Sequence, residues 1–305
     1  MNIDVEMTVG TLLVSFEEYL RRVRGLCPGT CRNYVRYAGE FMTTVFAGNA
    51  PDPHQIRPAE VLAFVCGASD RYQPRTVEEV ATSLRVFFRF LHSEGLCRDR
   101  LDDAVPMVPR RGTTLVRHLE TVLFERLLSS LDSTSPRDLR DRAMILCVAR
   151  LGLRAGEVAR LQLEDLDWSN ATLRIRSRKT GHGALLPLIQ EVGTALAAYL
   201  QQARPETSNR EVFVLHKLRI GAPISGSIVR RAVERALDRA GIAAPTRGSN
   251  LLRHSLATGL LEHGAGLQEI GDLMGHSSLA TTRIYAAVNV IALREVGMPW
   301  PETAS

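Results

Sequence analysis

The chain's 305 residues are enough for two domains and its 45% hydrophobic content for two cores, while no apolar run approaches the roughly 20 residues of a membrane span. The opening MNIDVEMTVG lacks a basic head and an apolar signal core, and the cysteines (Cys27, Cys31, Cys66, Cys97, Cys147) are scattered, so a cytoplasmic protein without a disulfide framework or metal site is expected. With 38 basic and 33 acidic residues the net charge is +5, compatible with a polyanionic partner without requiring one, and the excess is largely arginine, whose planar fork suits phosphate oxygens.

Residues 1–101 read as a small all-helical unit. Leu12, Leu13, Phe16, Tyr19, Leu20 and Val23 recur at helical spacing and form one apolar stripe that ends at Gly25. Thr30 is placed to cap a second helix carrying Tyr34, Tyr37, Phe41 and Val45, and Pro58 stands where a third would begin. A fourth helix, from about Thr76 to Ser93, buries Val77, Val80, Leu84, Phe87, Phe88 and Leu91 and stops at Gly95. Its other face carries Arg75, Ser83, Arg85 and Arg89, either an ordinary solvated surface or one that meets a polyanion.

Between Asp102 and Thr114 the sequence DDAVPMVPRRGTT has prolines, a glycine and no periodicity, so residues 102–117 are expected to form an extended linker. Its paired Arg110 and Arg111 either solubilise it or track a polyanionic backbone.

The second domain is expected over residues 118–305. Helices are read at about Leu119–Leu131 and Pro136–Leu151, the latter packing through Leu139, Ala143, Ile145, Leu146 and Val148. In GLRAGEVARLQLEDLDW, Gly152 breaks that helix and Arg154 opens another, with Glu157 three residues on and on the same face. A helix start favours anions, so an arginine there points to an external anion, with Glu157 holding it in position. TLRIRS and ALLPL then alternate on either side of RKTGHG, a β-hairpin whose Gly-rich tip sets Lys179 outside the helical body.

The densest pattern runs from Ser249 to Val288. Leu251, Leu252, Leu256, Leu260 and Leu261 mark a helix with one buried face, and Gly264 and Gly266 end it in an open turn. A second helix turns Leu267, Ile270, Leu273 and Met274 inward and stops at Gly275. His276 stands just past that end, and Tyr285 follows nine positions later. Arg253, His276 and Tyr285 are expected to converge on one small polar target, a phosphodiester; His254 reads as a packed helix residue. The tail beyond Ala286 carries the apolar stripe Val288, Val290, Ile291, Leu293 and Val296, a helix that caps its own domain or docks on another copy.

Taken in order, GLRAGEVARL, SRKTGHGALLPL, LLRHSLAT and LLEHGAGLQEIGDLMGHSSLATTRIYA make residues 119–288 resemble the catalytic domain of the tyrosine recombinases, the phage-integrase family, above all the short bacterial chromosome-dimer resolvases and transposon integrases. The first domain resembles that family's SAM-like, DNA-clamping N-terminal domain. The resemblance implies a mainly α fold with a small β-hairpin or sheet, a catalytic domain ending in a tail helix, and site-specific DNA recombination through a 3′-phosphotyrosine, for integration, excision or resolution. Arg154 and Arg253 would hold the non-bridging oxygens of the scissile phosphate, Tyr285 would attack, and Lys179 would protonate the leaving 5′-oxygen. His276 would donate a hydrogen bond to the phosphate and Glu157 would support the site. Thr30, Arg75, Ser83, Arg85, Arg89, Arg110 and Arg111 would meet the DNA. Paired guanidinium groups stabilise the charge of a pentavalent phosphate, so no metal or other cofactor is implied, and the phosphotyrosine keeps the energy of the broken strand, so no ATP is. The implied partners are double-stranded DNA with paired half-sites, further copies of the chain (a dimer per site, a tetramer in the synapse) and accessory recombination proteins, at the nucleoid.

One position departs from the pattern. The family usually has histidine three residues before the second arginine, and here Asn250 stands there. Asparagine can donate to a phosphate oxygen but cannot take and keep a proton. Besides an active recombinase, this leaves open a DNA-binding protein of the same fold with weak or no cleavage. A type IB topoisomerase or hairpin telomere resolvase would share the chemistry without pairing two sites.

Overall fold

Proline sets the start of four helices, at Pro28, Pro58, Pro74 and Pro136, where its fixed φ suits the first turn and its missing N–H is no loss. The computed structural model describes residues 8–108, 117–131, 135–176, 183–244 and 246–275. The chain divides into two units, between Gly112 and Thr113.

The first unit contains α1 (Val9–Arg22), α2 (Pro28–Phe46), α3 (Pro58–Arg71) and α4 (Pro74–Ser93). The expected stripes supply its core: Phe16, Phe41, Phe87 and Phe88 are fully buried, and Phe41 meets both Phe64 and Phe88 edge-on at 5.3 Å. Three expectations need correction. Cys27 is the N-cap of α2, because Pro28 takes the first helical position, so Thr30 lies inside the helix rather than capping it. Ser83 is buried and donates its hydroxyl to the Tyr34 carbonyl at 3.0 Å, because α4 also buries Val86 and Phe90 and leaves a narrow outer face; Ser83 has no surface to offer a ligand.

The third correction concerns the linker. Leu101 and Val105 join the first core, and Asp102 is buried between Arg89 at 2.9 Å and Arg100 at 3.0 Å. Arg85 donates to the carbonyls of Val105 and Pro106 at 3.3 and 2.8 Å. As far as Val108, the expected extended linker is instead a segment folded onto α4, and Arg85 and Arg89 are the residues that fasten it. Arg75 is exposed as expected. Arg110 and Arg111 lie outside the described residues.

The second unit contains α5 (Thr121–Ser129), α6 (Pro136–Leu151), α7 (Ala155–Ala159), β1 (Leu166–Asp167), β2 (Thr172–Ile175), β3 (Ala184–Pro187), α8 (Gln190–Gln202), α9 (Gly226–Arg239), α10 (Ser249–Glu262) and α11 (Leu267–Met274). Helix α6 is its axis: every residue from Ala143 to Ala149 is buried, so that stretch is apolar all round, and α8, α9 and α10 pack on the helix. The hairpin is one side of a three-stranded antiparallel sheet in the order β1-β2-β3, with Leu173 opposite Leu186 and both facing the core. A Cβ on Gly183 would lie 2.7 Å from the Ile175 carbonyl, so the strands close at the hairpin end only because glycine is there. The fold is thus mainly α with a small sheet, and no described helix is long and apolar enough to cross a membrane. Helix α11 packs on α10 through a small satellite core of Ala257, Ile270 and Met274, while its Leu273 packs against the main one.

Candidate active site

Helix α6 ends at Gly152, which caps it in the left-handed region at φ 65°. Two residues later Arg154, in extended backbone, is the N-cap of α7. Glu157 receives the Arg154 backbone N–H at 2.8 Å on one carboxylate oxygen and the Arg154 guanidinium at 3.0 Å on the other. The carboxylate is buried, with 2% of its side chain exposed against 27% for Arg154. A buried carboxylate needs such charge-assisted partners, and here it fixes both the backbone and the head group of the arginine.

Arg253 comes from the middle of α10 and is itself buried, 5% exposed. Its Nη2 donates to the Met274 carbonyl at 3.1 Å, and the Nη2 of Arg154 donates to the Gly275 carbonyl at 2.9 Å. The two arginines, 99 positions apart in sequence (253 − 154), are therefore bonded to adjacent carbonyls at the end of one helix. The C-terminal end of α11 carries the negative end of its dipole, so two guanidinium groups are held there against their mutual repulsion. Gly275 caps α11 in the left-handed region, and the candidate His276 follows directly in sequence.

Asn250 sits in the first turn of α10, exposed, three residues before Arg253 and so on its side of the helix. His254 is half-buried on α10; burial, then Arg253 and then His118, push its pKa below the usual imidazole value, in keeping with a packed residue. The structure thus brings Arg154, Glu157 and Arg253 together at the end of α11, with Asn250 one turn before Arg253 on α10. Lys179, His276 and Tyr285 lie outside the described residues. The chain has two lysines, Lys179 and Lys217, and Lys217 is exposed on the segment between α8 and α9. The carbonyls of Met274 and Gly275 escaped the sequence reading, since backbone acceptors leave no mark on residue type; the helix-stop glycine was the available signal. Among the described residues no cluster of acidic, histidine and cysteine side chains suited to a metal ion occurs.

Residues 118–290 match the profile of the phage integrase family, and residues 13–95 match that of the phage integrase N-terminal SAM-like domain. The y4rA protein of Sinorhizobium fredii is 39% identical over 292 residues, covering 95% of this chain and 71% of that one. Tyrosine recombinase XerD of Listeria monocytogenes is 30% identical over 293 residues, covering 93% and 96%. The crystal structure of the XerH site-specific recombinase in a post-cleavage complex shares the fold, with a TM-score of 0.73 at 21% identity over 95% of this chain and 85% of that one. The two arginines lie in the part of the chain that the family profile covers, on the helices that build the site: the chain belongs to the phage integrase family and is a tyrosine recombinase.

Proposed function

We propose that the chain cuts and rejoins DNA by attack of Tyr285 on a phosphodiester held between Arg154 and Arg253. The observation that carries this reading is the bonding of both guanidinium groups to the adjacent carbonyls of Met274 and Gly275, which sets two cations side by side. A guanidinium has five N–H donors, so such bonds leave Arg154 with donors to spend on a phosphate oxygen. A pentavalent phosphate concentrates negative charge on its equatorial oxygens, and cations fixed in advance stabilise it without reorganising. Tyr285 supplies a phenol, a poor attacker until a positive field lowers its pKa and a better leaving group than an alkoxide when a DNA hydroxyl attacks back. Lys179 gives its proton to the departing 5′-oxygen and His276 donates to the phosphate. The bond energy is kept in the 3′-phosphotyrosine, so neither metal nor ATP enters.

The substrate is double-stranded DNA with paired half-sites, bound by two copies per site, with four copies in the synapse. The XerH structure holds a palindromic difH substrate, and lambda integrase structures show a dimer on a core site and a tetramer on a Holliday junction, which supports this assembly. Accessory proteins set the direction of the reaction, and the protein works at the nucleoid. Arg75, Arg110 and Arg111 meet the DNA backbone.

The test uses nicked duplexes carrying the DNA that flanks this gene, incubated with wild type and Tyr285→Phe without metal or ATP and run on a denaturing gel. A covalent adduct from wild type alone is expected. Binding without an adduct would favour a DNA-binding protein that does not cleave, the reading to which Asn250 lends support.

A further inference from the structure

We infer that Gly152 and Met274 are positioning residues for strand cleavage, a packed joint that sets the end of α11 at the height where both arginines reach its carbonyls. This rests on the reading of Arg154 and Arg253 as the phosphate clamp. Helix α11 is tied to α10 by its satellite core of Ala257, Ile270 and Met274. Met274, 1% exposed, also reaches out of that core to Gly152 at the end of α6. A Cβ on Gly152 would stand 2.9 Å from the Met274 sulfur and 3.3 Å from Leu256 Cδ2, so the approach requires a residue without a side chain.

The consequences for the arginines are direct. Two residues after Gly152 comes Arg154, which donates to Gly275; the carbonyl of Met274 itself accepts from Arg253. One contact therefore carries on its two sides the chain that supplies one guanidinium and the carbonyl that holds the other. A methyl group at Gly152 is strained at φ 65° and finds Met274 enclosed with Leu256 beside it, so the Met274 side chain shifts and takes the last turn of α11 with it. Both guanidinium groups then lose their common rest, and a phosphate bound between them meets a pair of cations out of register. Gly152 and Met274 touch no substrate; they act through the arginines.

Single-turnover adduct formation on a saturating nicked half-site duplex tests this, with two substrates: the natural scissile phosphate, and a methylphosphonate in its place, which removes the charge the clamp opposes. Gly152→Ala is expected to slow adduct formation on the natural phosphate by roughly tenfold or more, since misplacement by about 1 Å costs up to 100-fold. Half-site affinity should change by less than about threefold, because phosphate contacts spread over the duplex dominate it. The penalty should shrink on the methylphosphonate. Met274→Ala should show the same charge-selective loss, and it keeps the question open to experiment if Gly152→Ala fails to fold. The double variant, in which the new methyl enters the space left by Met274 while the backbone strain at φ 65° remains, should react faster than Gly152→Ala alone. Equal penalties on the charged and neutral substrates, or an unchanged rate per bound protomer, would overturn the assignment. An absence of adduct with wild type would instead bring down the clamp reading itself.

Discussion

Glu157 receives two hydrogen bonds from one residue, the backbone N–H and the guanidinium of Arg154, while almost wholly shielded from water. Glu157→Gln keeps the shape but removes the charge, and it turns an amide N–H₂ toward one of those donors. Losing one charge-assisted bond of about 1.5–3 kcal/mol should slow adduct formation roughly 10- to 100-fold while half-site binding stays close to wild type. Rates on the nicked duplex and gel-shift affinities, measured side by side, check this; parallel losses in both would mean that Glu157 serves the fold alone.

Asn250→His should leave adduct formation similar to wild type or raise it. Position 250 is exposed in the first turn of α10, so an imidazole meets no packing obstacle there. It adds a group able to take and release a proton on the same side of the helix as Arg253. Rates between pH 6 and 8 read the outcome, and a complete loss of cleavage would count against this placement of the site.

Much of this arrangement was legible in the sequence, and the rest was hidden for physical reasons. Helix α6 ran from Pro136 to Leu151 as the punctuation predicted, and α11 stopped at Gly275, because proline and glycine act through local sterics that need no tertiary context. The Arg154 and Glu157 pair was visible as a three-residue spacing. Ser83 was misplaced because a residue's type does not reveal how much of a helix its neighbours cover, and α4 is covered over most of its girth. Asp102 read as linker because its two guanidinium partners, one of them 13 positions away, are invisible to a pattern search. Helices α8 and α9 and strand β1 carry no distinctive chemistry in their residue types, so the sequence alone gives little sign of them.

Asp102 should make stability depend on acid. Arg100 first, and Arg89 after it, hold its carboxyl down to about 2 from an ordinary 3.8, against the opposing effect of burial. A depressed acid contributes stability above its unfolded pKa and loses it as pH falls through the folded value, so about 2 kcal/mol should be present at neutral pH and vanish between about pH 4 and 2. Asp102→Asn should lower the stability of the first unit by about that amount at pH 7 and be indistinguishable from wild type near pH 2. Denaturant titrations of the full chain at several pH values give both figures.

His216 should act in a higher window. It is stacked on Tyr199 with ring centroids 5.8 Å apart, its Nε2 has no hydrogen-bond partner among the described residues, and burial, then Arg140, lower its pKa against the pull of Asp141. Here too the folded pKa lies below the unfolded one, so the second unit loses stability as pH falls below about 6.5. His216→Phe keeps a ring in the stack and cannot protonate. Its unfolding midpoint should therefore vary less than that of wild type between pH 7.5 and 5, and an identical pH dependence would exclude His216 as the source.

The satellite core beneath α11 has a consequence for how the protein fails. Helix α11 is held mainly by the satellite core and by Leu273 against the edge of the main one, whereas α6 from Ala143 to Ala149 is buried within the main core. Opening of a structural element costs in proportion to what it buries, so α11 should exchange its amide hydrogens well before α6 does. Both arginines bond to carbonyls at the end of that helix, so its opening would take away a support that they share. Warming or mild denaturant should then silence the enzyme reversibly at conditions where the body of the protein is still intact.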